Sequence, residues 1–336
     1  MIGLKRFVFG SVAAAAFAAV NATPAPAADF TLRCAHDQAK TGFYEVIWQT
    51  FKTLVEPLSG GRIEVKIFGG AQLGDEAQLL ENMKIGTVDC AGSSVGNIGG
   101  HIPKAGLLGV PYIIQNDKHR MRVVDGKGKF FKALSDVVKE TGNFRALGMT
   151  TAGVRSVYNK KHPIKTPDDL KGMKIRVMTS ETQVKSWKAL GAVPTAMAFA
   201  EVYTGLMTGA VDAAENSPMF LWNMKHYEGV KYYSLTAHMV ATGVTMISEK
   251  AYQKLPEDLR DIVMAAGDKA TEVGRAYDEE ANKGFMKKVL AAGIKVNKVD
   301  TAPFVAKTAS LHDQFAKSLK AEGLLKVLRS EAMAAK

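Results

Sequence analysis

The sequence predicts an α/β protein of two lobes, each a mostly parallel sheet flanked by helices, with one long helix spanning both. Three observations carry that prediction. From Phe30 onward, short β-like runs alternate with longer amphipathic patterns, the order expected of parallel strands joined by helical crossovers. Leu79–Ser94 (LLENMKIGTVDCAGSS) and Val202–Ser217 (VYTGLMTGAVDAAENS) match each other across the chain, pairing Gly86 with Gly209, Val88 with Val211, Asp89 with Asp212 and Ala91 with Ala214. The pattern from Pro256 to Ala292 is longer than an ordinary globular helix, so it braces both lobes.

Before the first strand the chain carries Lys5 and Arg6, an apolar run from Phe7 to Val20, and the Pro-broken segment Asn21–Ala28. That order reads as a cleaved export signal over residues 1–28, with Ala25-Pro26-Ala27 as the cleavage motif. No later run approaches the ~18 consecutive apolar residues of a membrane span, so the expected location is the periplasm, in solution. The mature 308 residues are enough for two domains and need no disulfide to fold. Cys34 and Cys90 each lie in a short apolar run; an oxidising compartment permits a bridge between them, and burial as small apolar groups is the alternative.

Thr31–Ala35 reads as a strand, Tyr44–Leu58 as a helix, Arg62–Phe68 as a strand, and Asp75–Lys84 as a helix entered through Gly69-Gly70. The unit Met173–Val177 plus the helix from Glu181 resembles Arg62–Phe68 plus its helix, which supports two lobes made of the same βαβ pieces. A hinge is expected near Thr150–Gly153, where the apolar strand Ala146–Met149 gives way to a new unit, and a second crossing near Thr242–Ile247. Lobe I is then 29–151 plus 242–280, and lobe II is 152–241 plus 281–336. Asp313–Leu328 reads as the last amphipathic helix.

In such sheets ligands sit beyond the carboxyl ends of the strands, which points to His36, Asp37, Ser94, Arg176 and Asn216. Arg176 lies on the polar face of its strand, just before Ser180 and Gln183, spaced as a capping box. A guanidinium beside free helix N-terminal amides suits an anion; a structural ion pair accounts for the same pattern equally well. Asp37 reads either as a ligand contact or as a helix N-cap, and Phe199 either walls a pocket or packs. Trp187 and Trp222 read as core.

The net charge of +11, or +9 once Lys5 and Arg6 are gone, favours anions. Its lysines are scattered with no aromatic-interleaved stripe, which argues against nucleic acid. The seven histidines show no metal-ligand spacing, and no cofactor motif is present: Gly126-Lys127-Gly128-Lys129 lacks the spacing of a phosphate loop. Gly92-Ser93-Ser94-Val95-Gly96 fits the G-x-S-x-G pattern of a hydrolase elbow, with Asp212 and His238 as nominal partners for Ser94. After Gly96 the chain reads Asn-Ile-Gly-Gly instead of a helical pattern, which argues against an enzyme.

The run GMKIRVMTSETQVKSWKALGAVPTAMAFAEVYTGLMTGAVDAAENSP, followed by YEGVKYYSLTAH, closely resembles the solute-binding subunits of tripartite ATP-independent periplasmic (TRAP) transporters, as does AQLGDEAQLLENMKIGTVD upstream. The resemblance spans essentially the whole mature chain. It implies a two-lobed protein, monomeric, that closes on a small organic acid and delivers it to the membrane subunits of an ion-gradient-driven transporter. It also implies that Arg176 grips the carboxylate, that Arg155 adds charge or reaches a hydroxyl, and that Asn216 and Phe199 complete the pocket. Two departures, Ala196 in Pro194-Thr195-Ala196-Met197 and Ser217 between Asn216 and Pro218, bear on ligand identity. A uronate or aldonate fits a hydroxyl-reading pocket, while dicarboxylates, hydroxy acids and aromatic acids stay open, as does presentation of the ligand to a sensor.

Overall fold

The computed structural model describes residues 27–334. The expected export signal therefore lies, up to Pro26, outside the described residues. In chain order the first lobe opens with β1 (Phe30–Ala35), α1 (Phe43–Leu58), β2 (Ile63–Phe68), α2 (Glu76–Ile85), β3 (Cys90–Ser94), α3 (Val95–Ile98), α4 (Asp117–Val123) and α5 (Lys129–Gly142). The long strand β4 (Phe144–Asn159) leads into β5 (Lys174–Val177), α6 (Glu181–Ala189), β6 (Val193–Ala196), α7 (Val202–Thr208), β7 (Ala213–Asn216) and α8 (Pro218–Asn223). A second long strand, β8 (Tyr232–Ser248), returns to α9 (Glu249–Lys254), α10 (Glu257–Ala291), β9 (Lys295–Lys298), α11 (Ala302–Ser318) and α12 (Glu322–Ala334).

The internal match seen in the sequence has a structural cause. In lobe I the strand order is β2-β1-β3 and in lobe II β6-β5-β7, with both sets parallel. Gly86 and Gly209 end α2 and α7 in the left-handed conformation, with φ of 88° and 79°, where glycine carries no Cβ penalty. Each paired aspartate then ties its lobe together in the same way. Asp89 accepts from the Arg33 amide at 2.9 Å and Asp212 from the Lys174 amide at 3.3 Å. Their own amides donate back to the carbonyls of Arg33 and Lys174.

The lobes share one sheet, because β4 and β8 run antiparallel through both. At the expected hinge β4 does not stop, contrary to the sequence reading. It continues through a register shift between Thr151 and Val154, where Gly153 has φ of 76°. A bulge lets a strand bend and twist without losing its ladder on either side, so backbone hydrogen bonding is kept while the lobes are set at an angle. The second crossing, at Thr242–Ile247, lies within β8.

Helix α10 does span both lobes. Leu259, Val263 and Ala266 pack in the lobe I core, and Val289 packs in the core of lobe II; at 35 residues the helix is ~52 Å long. Small residues let it approach the crossing strands: a Cβ on Gly148 of β4 would lie 2.6 Å from Thr271 Oγ1.

The C-terminal reading needs correction. Instead of one helix over Asp313–Leu328, α11 and α12 meet at Lys320, whose φ of 54° breaks the helix. Phe304 packs in lobe II, but Phe315, Leu324, Leu325 and Leu328 join the lobe I core. The chain thus returns to lobe I from about Phe315, and the expected assignment of 281–336 to lobe II fails there because the apolar face of α12 is buried against lobe I. Cys34 and Cys90 are register partners on β1 and β3, fully buried, and stand as free thiols.

A Cβ at Gly153 would meet the Asn282 carboxamide at 2.9 Å, on a backbone with positive φ. Gly153→Ala is therefore expected to destabilise the protein by ~1–3 kcal/mol. Urea unfolding checks this, and an unchanged midpoint would show that the hinge carries no such strain.

Candidate functional site

Between the lobes lies a cavity lined by residues of both, the kind of place where small-molecule sites are found. Lobe I contributes Asp37 and Gln38 after β1, Tyr44 on α1, Glu76 at the start of α2, and Ser94–Asn97 at the end of β3. Arg155 and Thr242 enter from the crossing strands, and Arg176, Met178, Phe199, Asn216 and Phe220 from lobe II. Strand ends from both lobes thus converge, as the rule for parallel sheets requires.

Six of the seven site residues expected from sequence line this cavity: Arg176, Arg155, Asn216, Phe199, Asp37 and Ser94. His36 does not. Side chains alternate across a strand, and His36 points behind the wall, 1% exposed, with Nε2 2.9 Å from Glu45 Oε2. Burial lowers its pKa against the pull of Glu45, so it is a neutral support residue. The N-cap alternative for Asp37 also fails, since α1 begins at Phe43 after Gly42.

The two arginines differ in one decisive respect. Arg155 donates from Nε and Nη2 to the Glu215 carboxylate, both at 2.6 Å, and from Nη1 to Asn216 Oδ1 at 2.9 Å. Glu215 is fully buried and also faces His238 Nε2 at 3.0 Å. Burial would raise its pKa, but the Arg155 charge and the His238 hydrogen bond outweigh that and hold it at about 2. The Arg155 charge is thereby matched inside the protein. Asn216 Oδ1 is taken by Arg155 and by the Ser217 amide, which leaves the Asn216 NH₂ group for the cavity.

Arg176 has no such partner. It is 2% exposed, and Nε and Nη2 both donate to the Met197 carbonyl, at 3.0 and 2.8 Å. Among the described residues no carboxylate pairs with it, so the structural ion pair that its sequence pattern allowed is absent. Burial lowers its pKa, with Glu215 opposing and Arg155 adding to the effect; His226 nearby is held neutral, at about 3, by burial and by the Arg176 charge. The Phe199 ring lies 5.7 Å from the guanidinium carbon. A buried cation without an anion is costly, and a fork with free N–H groups beside a cavity fits a carboxylate.

Opposite Arg176 stand carboxyls, and one of them escaped the sequence reading. Glu76 Oε2 accepts from the Ser94 amide at 2.9 Å, from Ser94 Oγ at 2.7 Å and from Asn97 Nδ2 at 2.7 Å. An acid in the first turn of a helix is ordinary dipole chemistry, so no sequence signal marked it. The same bonds dispose of the hydrolase alternative. Ser94 Oγ is engaged by Glu76, His238 by Glu215 and Thr236, and Asp212 by Lys161. The nominal triad is spread over two lobes.

The cleft is closed. Asn97 Oδ1 of lobe I accepts from the Thr179 amide and hydroxyl of lobe II at 3.0 and 3.1 Å, and Gln183 Nε2 donates to the Gly109 carbonyl. Ser180 caps α6 as expected, but the Gln183 side chain makes this cross-cleft bond instead of closing a capping box.

Arg155→Met should cost ~3–5 kcal/mol of stability at neutral pH, because it strands the Glu215 carboxylate in the interior. In the unsubstituted protein the contribution of Glu215, whose pKa is depressed to about 2, is present above its ordinary value and is lost as the pH falls toward 2. Chemical denaturation across that range checks both, and a wild-type stability for Arg155→Met would refute the pairing.

Known proteins resemble this chain in sequence and fold. Residues 36–318 match the family described as bacterial extracellular solute-binding protein, family 7. A solute-binding protein of Chromohalobacter salexigens is 35% identical over 269 residues, covering 80% of this chain and 79% of the relative. The 2,3-diketo-L-gulonate-binding periplasmic protein of Escherichia coli K12 is 30% identical over 267 residues, covering 79% of this chain and 80% of the relative. Among solved structures, a TRAP periplasmic solute-binding protein from Sulfitobacter sp. NAS-14.1 with bound β-D-galacturonate superposes with a TM-score of 0.85 at 30% identity. It is matched over 89% of this chain and 99% of that one. A second, from Chromohalobacter salexigens with bound D-glucuronate, has the same TM-score at 31% identity and the same two coverages. The chain belongs to the family 7 extracellular solute-binding proteins, the ligand-capturing subunits of TRAP transporters, and is a binding protein and not an enzyme.

Proposed function

We propose that the protein captures a sugar acid, a uronate or aldonate with a single carboxylate, in the periplasm and delivers it to the membrane subunits of a TRAP transporter. The observation that carries this reading is Arg176, a buried guanidinium held by one backbone carbonyl and facing a closed cavity. A ligand carboxylate supplies the missing counter-charge. Among the described residues Nη1 of Arg176 has no hydrogen-bond partner and can pair with it, and the Asn216 amide group lines the same cavity as a second donor.

Around the rest of the cavity the groups suit hydroxyls. Glu76 and Asp37 accept hydrogen bonds, while Gln38 Oε1, Tyr44 OH and Thr242 Oγ1 are buried without protein partners among the described residues. Buried polar groups require partners, and a polyhydroxylated ligand supplies several at once. Phe43, Phe199 and Phe220 give the cavity apolar walls, suited to the C–H faces of a sugar. Relatives known with β-D-galacturonate, D-glucuronate and galactonate support the same class. For location, relatives named as periplasmic support the export read from the leader, and no helix among the described residues is long and apolar enough to cross a membrane.

Binding of D-glucuronate or D-galacturonate should raise the melting temperature by mass action, and Arg176→Ala should weaken that binding by ~2–5 kcal/mol. Calorimetry on a folded Arg176→Ala variant decides the matter: near-wild-type affinity would remove the carboxylate clamp.

A further inference from the structure

The cavity holds more acid than its bases balance. Arg155 and Glu215 neutralise each other, which leaves Arg176 as the cation still open to the cavity. Against it stand two carboxyls, Asp37 and Glu76. Among the described residues neither has a basic side chain in ion-pair contact: Glu76 Oε2 is held by Ser94 and Asn97, and Asp37 Oδ1 has no partner.

A ligand carboxylate on Arg176 uses up that one positive charge. Two ionised carboxylates would then remain in a closed, largely apolar volume, a state that carboxyls avoid by binding a proton. When two acids share a site, one proton suffices and belongs to the pair. Of the two, Asp37 is the member suited to hold it. Glu76 Oε2 already accepts three short hydrogen bonds, whereas Asp37 is 5% exposed and lacks a donor on Oδ1.

The groups around the pair leave this balance unchanged. From α1, the Tyr44 phenol is pushed up by burial, Glu76 and Asp37, and stays uncharged, while Glu45 is turned to His36. At the start of α2, Asp75 adds a further negative charge. Of the charged residues on β4, β5 and β7, Arg155 and Arg176 line the cavity and Glu215 pairs with Arg155, while Arg145 turns to Glu249 and Lys174 to the Gly209 carbonyl; β8 lines the cavity with Met239, Ala241, Thr242 and Gly243. His238 of β8 is directed at Glu215. Consistent with the geometry, burial first, and then Glu76 and Asp75, push the Asp37 carboxyl well above its ordinary range, against a weaker pull from Arg176.

We propose that Asp37 and Glu76 hold one proton between them in the closed, ligand-filled protein, so that capturing a monocarboxylate takes up a proton and a second carboxylate at this end of the ligand is refused. The inference rests on the reading of the ligand as a sugar acid. Its sign follows from linkage. In the open cleft Asp37 meets water and titrates in the ordinary carboxyl range, while in the closed cleft it titrates higher. Affinity therefore falls as pH rises between those two values, by up to ~10-fold per pH unit, and is flat below the lower one.

The test is titration calorimetry of the full mature chain with D-glucuronate and with the corresponding diacid, D-glucarate. Each titration is run at one near-neutral pH in two buffers of different ionisation enthalpy. The expected result is uptake of about one proton per D-glucuronate and binding of D-glucarate at least ~10-fold weaker. Asp37→Asn should abolish the uptake and narrow the gap between the two acids; Glu76→Gln, which removes the second cause acting on Asp37 but not its burial, should reduce the uptake. Glucuronate binding without proton uptake overturns the inference and leaves the sugar-acid reading standing. Uptake that is unchanged in both variants also overturns it, by placing the proton elsewhere. Absence of D-glucuronate binding to the unsubstituted protein overturns the sugar-acid reading itself and this inference with it.

Discussion

The structure turns on one buried positive charge without an internal partner. Arg176 stands in the interior with only the Met197 carbonyl to hold it, while every other feature of the cleft is arranged around it. The strands that end at the cavity bring it to the centre, and contacts through Asn97 and Gln183 draw the two lobes together over it. Isolation from water strengthens its attraction for an anion, so closure and ligand capture reinforce each other. An open cleft would let solvent screen the same charge.

Bringing two lobes together around that charge requires a joint that bends without losing backbone hydrogen bonds. Crossing strands β4 and β8 provide it, because a bulge at Thr151–Val154 keeps the ladder paired on both sides. Helix α10 lies across the same joint, and its side chains reach the strands: Arg275 Nη1 donates to the Met149 carbonyl at 2.7 Å, and Thr271 Oγ1 meets Thr245 Oγ1 at 3.1 Å. The helix and the strands thus form a continuous support under the cleft.

Much of this was legible in the residues. The mirrored segments around Gly86 and Gly209 announced two lobes, since a left-handed helix end and an aspartate tying down a neighbouring strand demand particular residue types. The strand-end rule, joined to the family resemblance, found six cavity residues. It failed at His36 because one step along a strand reverses the direction of a side chain. Glu76 was invisible for a different reason: an acid in a helix's first turn satisfies local chemistry whether or not a cavity lies beyond it. Long-range packing explains the remaining errors, since nothing local to Phe315–Leu328 says which lobe its apolar face will cover. At Gly153 the local pattern changed while the strand continued, because a bulge alters side-chain direction without ending the pairing.

The contrast between Arg155 and Arg176 sets what the cleft can accept. Both are arginines at equivalent depth, and the sequence singled out Arg176 by its strand end without showing what becomes of the Arg155 charge. Glu215 ranks them: by neutralising Arg155 with two 2.6 Å hydrogen bonds, it removes one charge from the cavity and leaves that side chain as a fixed scaffold that orients Asn216. Had Glu215 been neutral, two uncompensated arginines instead of one would face the ligand. With Glu215 ionised and Asp37 and Glu76 on the opposite wall, the cavity is matched to a ligand with one carboxylate at one end and hydrogen-bond donors along the rest. Charge balance in the cleft, more than the shape of any single subsite, is what supports the proposed sugar acid as its occupant.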